Sequence, residues 1–171
     1  MSLKKEIWEW TKAIIIAVIL AFFLRTYIFA TSIVEGTSMD PTLHNGERVI
    51  FNKAVYLFDE PERGDIVIIQ HPNKNYVKRV IGLPNETVEV QNGVLYINGE
   101  EVEQDFLPPE QQEATSDFRP IEVPEHHYFV MGDNRDISKD SRNGLGYIHE
   151  DDIIGRSEVI IFPFDQISLT R

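Results

Sequence analysis

Ser38 lies in the segment Glu35–Leu43, behind Gly36-Thr37 and ahead of Met39-Asp40-Pro41. A hydroxyl on such a constrained turn can serve as a nucleophile, with nearby backbone N–H groups facing the oxyanion formed when it attacks a carbonyl. The plain alternative is a loop serine, although the apolar Met39 is out of place in an otherwise polar turn. Lys78 and Arg79 are consecutive cations inside the apolar run Tyr76–Ile81. Strand side chains alternate, so one of the two must face inward. An edge-strand lysine would only discourage aggregation. A desolvated one, with cations such as Arg79 nearby, has a lowered pKa, and its neutral amine can take a serine's proton. The third polar segment, Gly132–Arg142 (GDNRDISKDSR), mixes short side chains with both signs of charge. It lacks the glycine and glutamate positions of an EF-hand loop, and Arg135 and Arg142 would oppose a cation. Carboxylate–guanidinium pairs supporting a site fit it better.

These segments need a scaffold, and the sequence describes one. The chain has 171 residues and no cysteine, which excludes thiolate nucleophiles, disulfides and cysteine-ligated metals. Its net charge of −12 argues against a nucleic-acid partner. Glu47–Lys53, Asp65–Gln70, Tyr76–Ile81, Tyr128–Met131 and Glu158–Phe162 read as strands, being short and rich in β-branched or aromatic residues. Thr87–Gln91 and Val94–Ile97 flank Asn92-Gly93, and Asn98-Gly99 follows, which predicts a meander with type I′ turns. Glu103–Glu125 carries Pro108, Pro109, Pro120 and Pro124 and reads as a surface excursion rather than ladder material.

The amino-terminal part differs in kind. Residues 1–30 hold Lys4, Lys5, Lys12 and Arg25 against Glu6 and Glu9, leaving −14 for the remainder of the chain. Ala13–Leu24 is wholly apolar, and Trp8, Trp10 and Tyr27 stand where interfacial aromatics are favoured. From Trp10 to Tyr27 a helix is long enough to cross a bilayer if Arg25 snorkels to the headgroups. A cleaved signal peptide shares this layout. As an uncleaved anchor, it would place the amino terminus in the cytosol and the body outside, by the positive-inside rule.

Together the blocks resemble type I signal peptidases, the membrane-anchored Ser/Lys proteases, and in particular the short Gram-positive bacterial type. The likeness covers almost the whole chain in order: the anchor, Gly36–Leu43 (GTSMDPTL), Arg63–Ile69 (RGDIVII), Tyr76–Pro84 (YVKRVIGLP) and Gly132–Arg142. It implies a mainly β fold, an antiparallel catalytic body at residues 31–171 behind a single anchor at 1–30, with about 84–127 as a non-catalytic insertion. It implies Ser38 as nucleophile, Lys78 as general base, and Ser138 as the group that orients the amine. Asp140 with Arg142, and Asp133 with Arg79, would form supporting ion pairs. Ile33, Val34 and Glu35 would form the edge on which substrate docks as an added strand, with Met39 beside the nucleophile near the membrane surface. No cofactor or metal is implied. The implied partners are secretory preproteins and the lipid bilayer, and the implied activity is removal of their amino-terminal signal peptides.

The chain departs from the family pattern at two points. Gly36 stands where Gram-negative relatives carry an oxyanion-binding serine, which leaves the second donor unassigned. Ser141-Arg142-Asn143-Gly144 replaces the usual Ser-Arg-x-aromatic-Gly. The five histidines, His44, His71, His126, His127 and His149, show no metal spacing and fall in no triad-like segment. Soluble self-cleaving repressors share the Ser/Lys pair but lack an anchor.

Overall fold

The computed structural model describes residues 3–170. Met1, Ser2 and Arg171, at the limits of the expected anchor and body, and the side chain of Lys4, lie outside the described residues. Helix α1 (Leu3–Phe23) passes into a wider, π-helical turn at Leu24–Ile28. The most apolar 18-residue stretch within Lys5–Ile28 has a mean hydropathy of 2.0, and none of it is covered by the rest of the chain. The helical backbone satisfies its own polar groups, and over Ala13–Leu24 every face is apolar, which suits a bilayer.

The remainder is antiparallel β structure. Strands β1 (Phe29–Ile33), β2 (Arg48–Asn52), β3 (Ile66–Ile69) and β4 (Tyr76–Gly82) come first. Next are β5 (Thr87–Gln91), β6 (Val94–Ile97) and β7 (Glu100–Glu101), then a short helix α2 (Pro109–Glu113). The chain closes with β8 (Phe118–Glu122), β9 (His127–Met131), β10 (Ile148–His149), β11 (Ile153–Phe162) and β12 (Ser168–Leu169). The large sheet has the order β1-β2-β11-β3-β4-β9-β10, with β12 also paired to β11, and the small sheet runs β7-β6-β5-β8. β11 begins five residues before the expected Glu158 start and joins the two early hairpins, β1–β2 and β3–β4. That pairing is long-range and leaves no local sign in sequence.

The meander forms as expected. Asn92, Gly93, Asn98 and Gly99 all have positive φ, the conformation a type I′ turn demands. The Glu103–Glu125 stretch departs from expectation. β8 lies within it, pairs with β5, and carries Pro120 at the edge of the small sheet, where a missing N–H costs no ladder bond. Gln104, Leu107, Thr115 and Val123 from the same stretch are buried.

β4 is central to the site. One core cluster gathers Ile81, Val88, Leu95, Phe129 and Met131 between the sheets, and a second gathers Val67, Val80, Tyr128 and Val130. Both faces of β4 are therefore covered, and Lys78 and Arg79 are each only 2% exposed. The expectation that one cation faces inward understated the burial: both do, on opposite faces.

Candidate active site

The turn after β1 brings Ser38 against β4, where a hydrogen bond of 2.6 Å joins Lys78 Nζ and Ser38 Oγ. Val34, Met39 and Leu43 are buried in a third core cluster with Val49 and Ile66, which roots both ends of the turn. Met39 is thus explained: it is the apolar peg that pins an otherwise polar turn. Ser38 N–H has no acceptor among the described residues, so it is free to donate to an oxyanion. Gly36 N–H is already committed, donating to Asn45 Oδ1 at 2.8 Å.

Burial lowers the Lys78 pKa from its ordinary 10.5 to about 8, against the opposing pull of Asp140 and Asp133. Lys74 and Arg142 push the same way as burial, so the assisting cations are these rather than Arg79. Arg79 is neutralised locally. Its Nε and Nη2 donate to the two Asp133 oxygens at 2.9 and 2.6 Å, and Nη1 donates to Gly64 O at 2.7 Å. Its guanidinium also lies 4.3 Å from the Phe106 ring centroid.

The Gly132–Arg142 loop holds the backbone of Ser38. Asn134 N–H donates to Ser38 O at 3.1 Å, and Asn134 Nδ2 donates to Thr37 O at 3.1 Å. Gly132 is wedged against Ser38 O and Ser138 Oγ, so a Cβ there would collide with both. Asp140 accepts from Arg142 Nε and Nη2 at 2.9 and 2.8 Å and from Gly132 N–H at 3.0 Å. Burial alone would raise the Asp140 carboxyl, but the Arg142 bonds and charge outweigh it and hold the pKa below the usual carboxylate range. The expected Asp140–Arg142 and Asp133–Arg79 partners thus stand at bonding distance.

Ser138 is placed differently from expectation. It is fully buried, yet its Oγ makes no well-formed hydrogen bond, to Lys78 or to any other group. The Asp140 carboxylate is close enough to feel the hydroxyl, which is the nearest thing it has to a partner.

A cleft of about 630 Å³ runs beside Ser38 and Lys78, between β1 with its following turn and the Lys74–Lys78 segment. Ile33, Val34, Glu35 and Met39 all line it, but in different ways. Val34 is 3% exposed and forms floor. Its N–H donates to Glu47 O and its carbonyl accepts from Gly46 N–H, both at 2.8 Å. Backbone groups alternate sides along a strand, so Ile33 and Glu35, rather than Val34, present theirs to the cleft.

Residue-type reasoning did not single out Asn134 or Gly132, and it named Arg135 only as a cation, without its partners. Buried Arg135 donates to Gln104 Oε1 at 2.6 Å and Thr115 Oγ1 at 3.1 Å, and Arg142 Nη2 donates to Arg135 O at 2.9 Å. The Gln104–Thr115 stretch thereby props the Gly132–Arg142 loop, although no residue of 84–127 lines the cleft. A buried arginine in a loop demands partners, and that demand was the only available signal. Among the described residues no histidine bonds Ser38, and no cluster fit for a metal occurs.

The family model described as "Signal peptidase, peptidase S26" matches residues 7–162. The chain belongs to that family. It is accordingly a serine endopeptidase. Among curated relatives, a signal peptidase I of Bacillus licheniformis is 51% identical, covering 98% of this chain and 95% of that protein. Signal peptidase I S of Bacillus subtilis (strain 168) is 48% identical over 100% of this chain and 97% of its own. The crystal structure of a signal peptidase I from Enterococcus faecalis superposes with a TM-score of 0.52 at 36% identity, covering 57% of this chain and 97% of that one. The S26 match begins inside α1 and ends at the last residue of β11, so it takes in both the helix and every block of the site.

Proposed function

We propose that the chain removes signal peptides from secretory preproteins, using Ser38 as nucleophile and Lys78 as general base. The observation that carries this is the 2.6 Å bond between a free hydroxyl and a buried amine that makes no ion pair among the described residues. Neutral Lys78 takes the Ser38 proton as Oγ bonds to the scissile carbonyl carbon, and the Ser38 N–H holds the oxyanion. The C–N bond breaks, the lysine proton goes to the leaving amine, and an acyl-enzyme remains. A water that gives its proton to Lys78 then attacks the ester and regenerates the serine.

The substrate lies as an added strand along β1, whose second edge is unpaired in the sheet order. Ile33 and Glu35 offer main-chain bonds, while Val34 and Met39 floor the pockets for its side chains. Asp140–Arg142 and Asp133–Arg79 hold the loop and β4 in register, and Ser138 contributes a hydroxyl to the lysine during turnover.

Residues 1–30 serve as an uncleaved anchor, amino terminus in the cytosol, and 31–171 as the extracytoplasmic catalytic body. The join supports this reading. Lys53 N–H donates to Ile28 O at 2.7 Å and Lys53 Nζ donates to Thr26 O at 2.5 Å, which ties the helix end into the body.

The test is to incubate the detergent-solubilised chain with a secretory preprotein and sequence the new amino terminus. A single cut after a small residue, absent with Ser38→Ala, is expected. Full activity of Lys78→Ala, or loss of activity on replacing one histidine by glutamine, would overturn the assignment.

A further inference from the structure

A second groove, of about 660 Å³, lies where α1 meets the large sheet. Ala21 of α1, Leu24 of the π-helical turn after it, Phe29, Ala30 and Thr31 of β1, and Ile50 of β2 line it, with Arg25 as the one charged contributor. Ala21, Leu24 and Arg25 fall on one helix face, by their spacing of three and four. Thr31 and Ile50 are directly paired and so present to the same face of the sheet. Leu24 is half-buried here, unlike the exposed Ala21, Phe22 and Phe23 before it.

Thr31 also lines the catalytic cleft. The two grooves therefore adjoin at Thr31 of β1, one toward the helix end and the other toward Ser38. Their chemistry changes at the join: the groove is mostly apolar, whereas the cleft adds Ser32, Glu35, Thr37, Lys74 and Asn75 to its apolar floor. A signal peptide has the matching order, an apolar segment within the bilayer followed by residues at the cut. We infer that the groove is the docking site for that apolar segment, which packs as a helix against Ala21 and Leu24 and hands the chain to the edge of β1. The inference rests on the proposed peptidase and anchor readings. It makes α1 part of substrate selection as well as a tether.

The chain has no cysteine, so single-cysteine variants report cleanly. Ala21→Cys and Leu24→Cys would be compared with Ile19→Cys and Phe23→Cys, which face the opposite side of the helix, in phosphatidylethanolamine/phosphatidylglycerol vesicles. The partner is a preprotein carrying one cysteine in its apolar segment and an uncleavable residue at the cut. Disulfide cross-links at positions 21 and 24, and not at 19 and 23, are expected. Separately, Leu24→Trp, which fills the groove, should raise KM for the intact preprotein about tenfold relative to KM for a short peptide spanning only the cut. Equal cross-linking at all four positions, or an unchanged KM ratio, would overturn the inference and leave the groove to lipid chains. Failure of the unmodified chain to cut even the short peptide would instead sink the peptidase reading.

Discussion

Lys78 and Arg79 are neighbours on one strand, equally buried, and opposite in electrostatic fate. Arg79 meets a carboxylate, a carbonyl and an aromatic face, so its charge is balanced and every direction of its fork has a partner. Lys78 meets one serine hydroxyl, and burial drives it toward the neutral amine. Burial alone does not make a base. Burial without a carboxylate in contact does, and the difference between the two faces of β4 is where Asp133 sits.

The strongest way to break this contrast is at the dyad. Ser38→Ala and Lys78→Ala should each lower kcat/KM by about 10⁴-fold or more, and the double variant should lose little further, because the pair acts as one unit. Lys78→Arg keeps the charge and most of the volume but cannot shed its proton, so it should be as inactive as Lys78→Ala. Progress curves on a preprotein would separate these cases.

The paired face should fail differently. Asp133→Ala leaves Arg79 charged, buried and unmatched, which costs about 3–5 kcal/mol of stability. A lowered Tm of the detergent-solubilised chain is expected, with activity falling along with folded fraction. A Tm equal to that of the unmodified chain would mean that Arg79 does not depend on its partner.

The unpaired face should carry a stability cost that can be removed. Lys78 binds a proton less readily folded, with a pKa of about 8, than unfolded, near 10.5. The unfolded state therefore holds more protons between those values, and stability rises with pH across that window. Below it, Lys78→Met should be more stable than the unmodified chain by about 3 kcal/mol, a gain that shrinks as pH passes from 8 toward 10.5. The same pKa sets the acid limb of kcat/KM at about 8, unaffected by histidine-to-glutamine replacements. Because Lys74 helps depress Lys78, Lys74→Ala should move that limb upward.

The smallest effect belongs to Ser138. Its hydroxyl is buried without a well-formed bond, so Ser138→Ala should change stability by less than about 1 kcal/mol. Turnover should nonetheless drop if the hydroxyl orients the amine in the reacting complex. Thermal melts and kcat measured on the same preparation check both halves.

The contrast between Lys78 and Arg79 was half visible in the amino acids. Alternation placed them on opposite faces, and the block Tyr76–Pro84 tied Lys78 to Ser38 through family resemblance. That both faces are covered depended on a second sheet, built partly from β8, whose Pro120 argued locally against any strand. Asn134, which holds the Ser38 and Thr37 carbonyls, looked like one more polar loop residue. Gln104 and Thr115 lie in a stretch read as surface, because nothing nearby in sequence announces that Arg135 needs them.

By itself the sequence determined the apolar helix, the strands with clear β-branched runs, the Asn-Gly turns and the ordered polar blocks. All of these rest on local periodicity, turn stereochemistry or contiguous motif, which act over a few residues. Only the tertiary structure decided which cation had its pKa lowered, which loop carbonyls were held, and that Ser138 made no well-formed bond. Those outcomes depend on desolvation and on partners brought together across the chain, as when Ser38 meets Lys78 and Arg79 meets Asp133. Linear spacing carries no information about such distances until the sheet has closed.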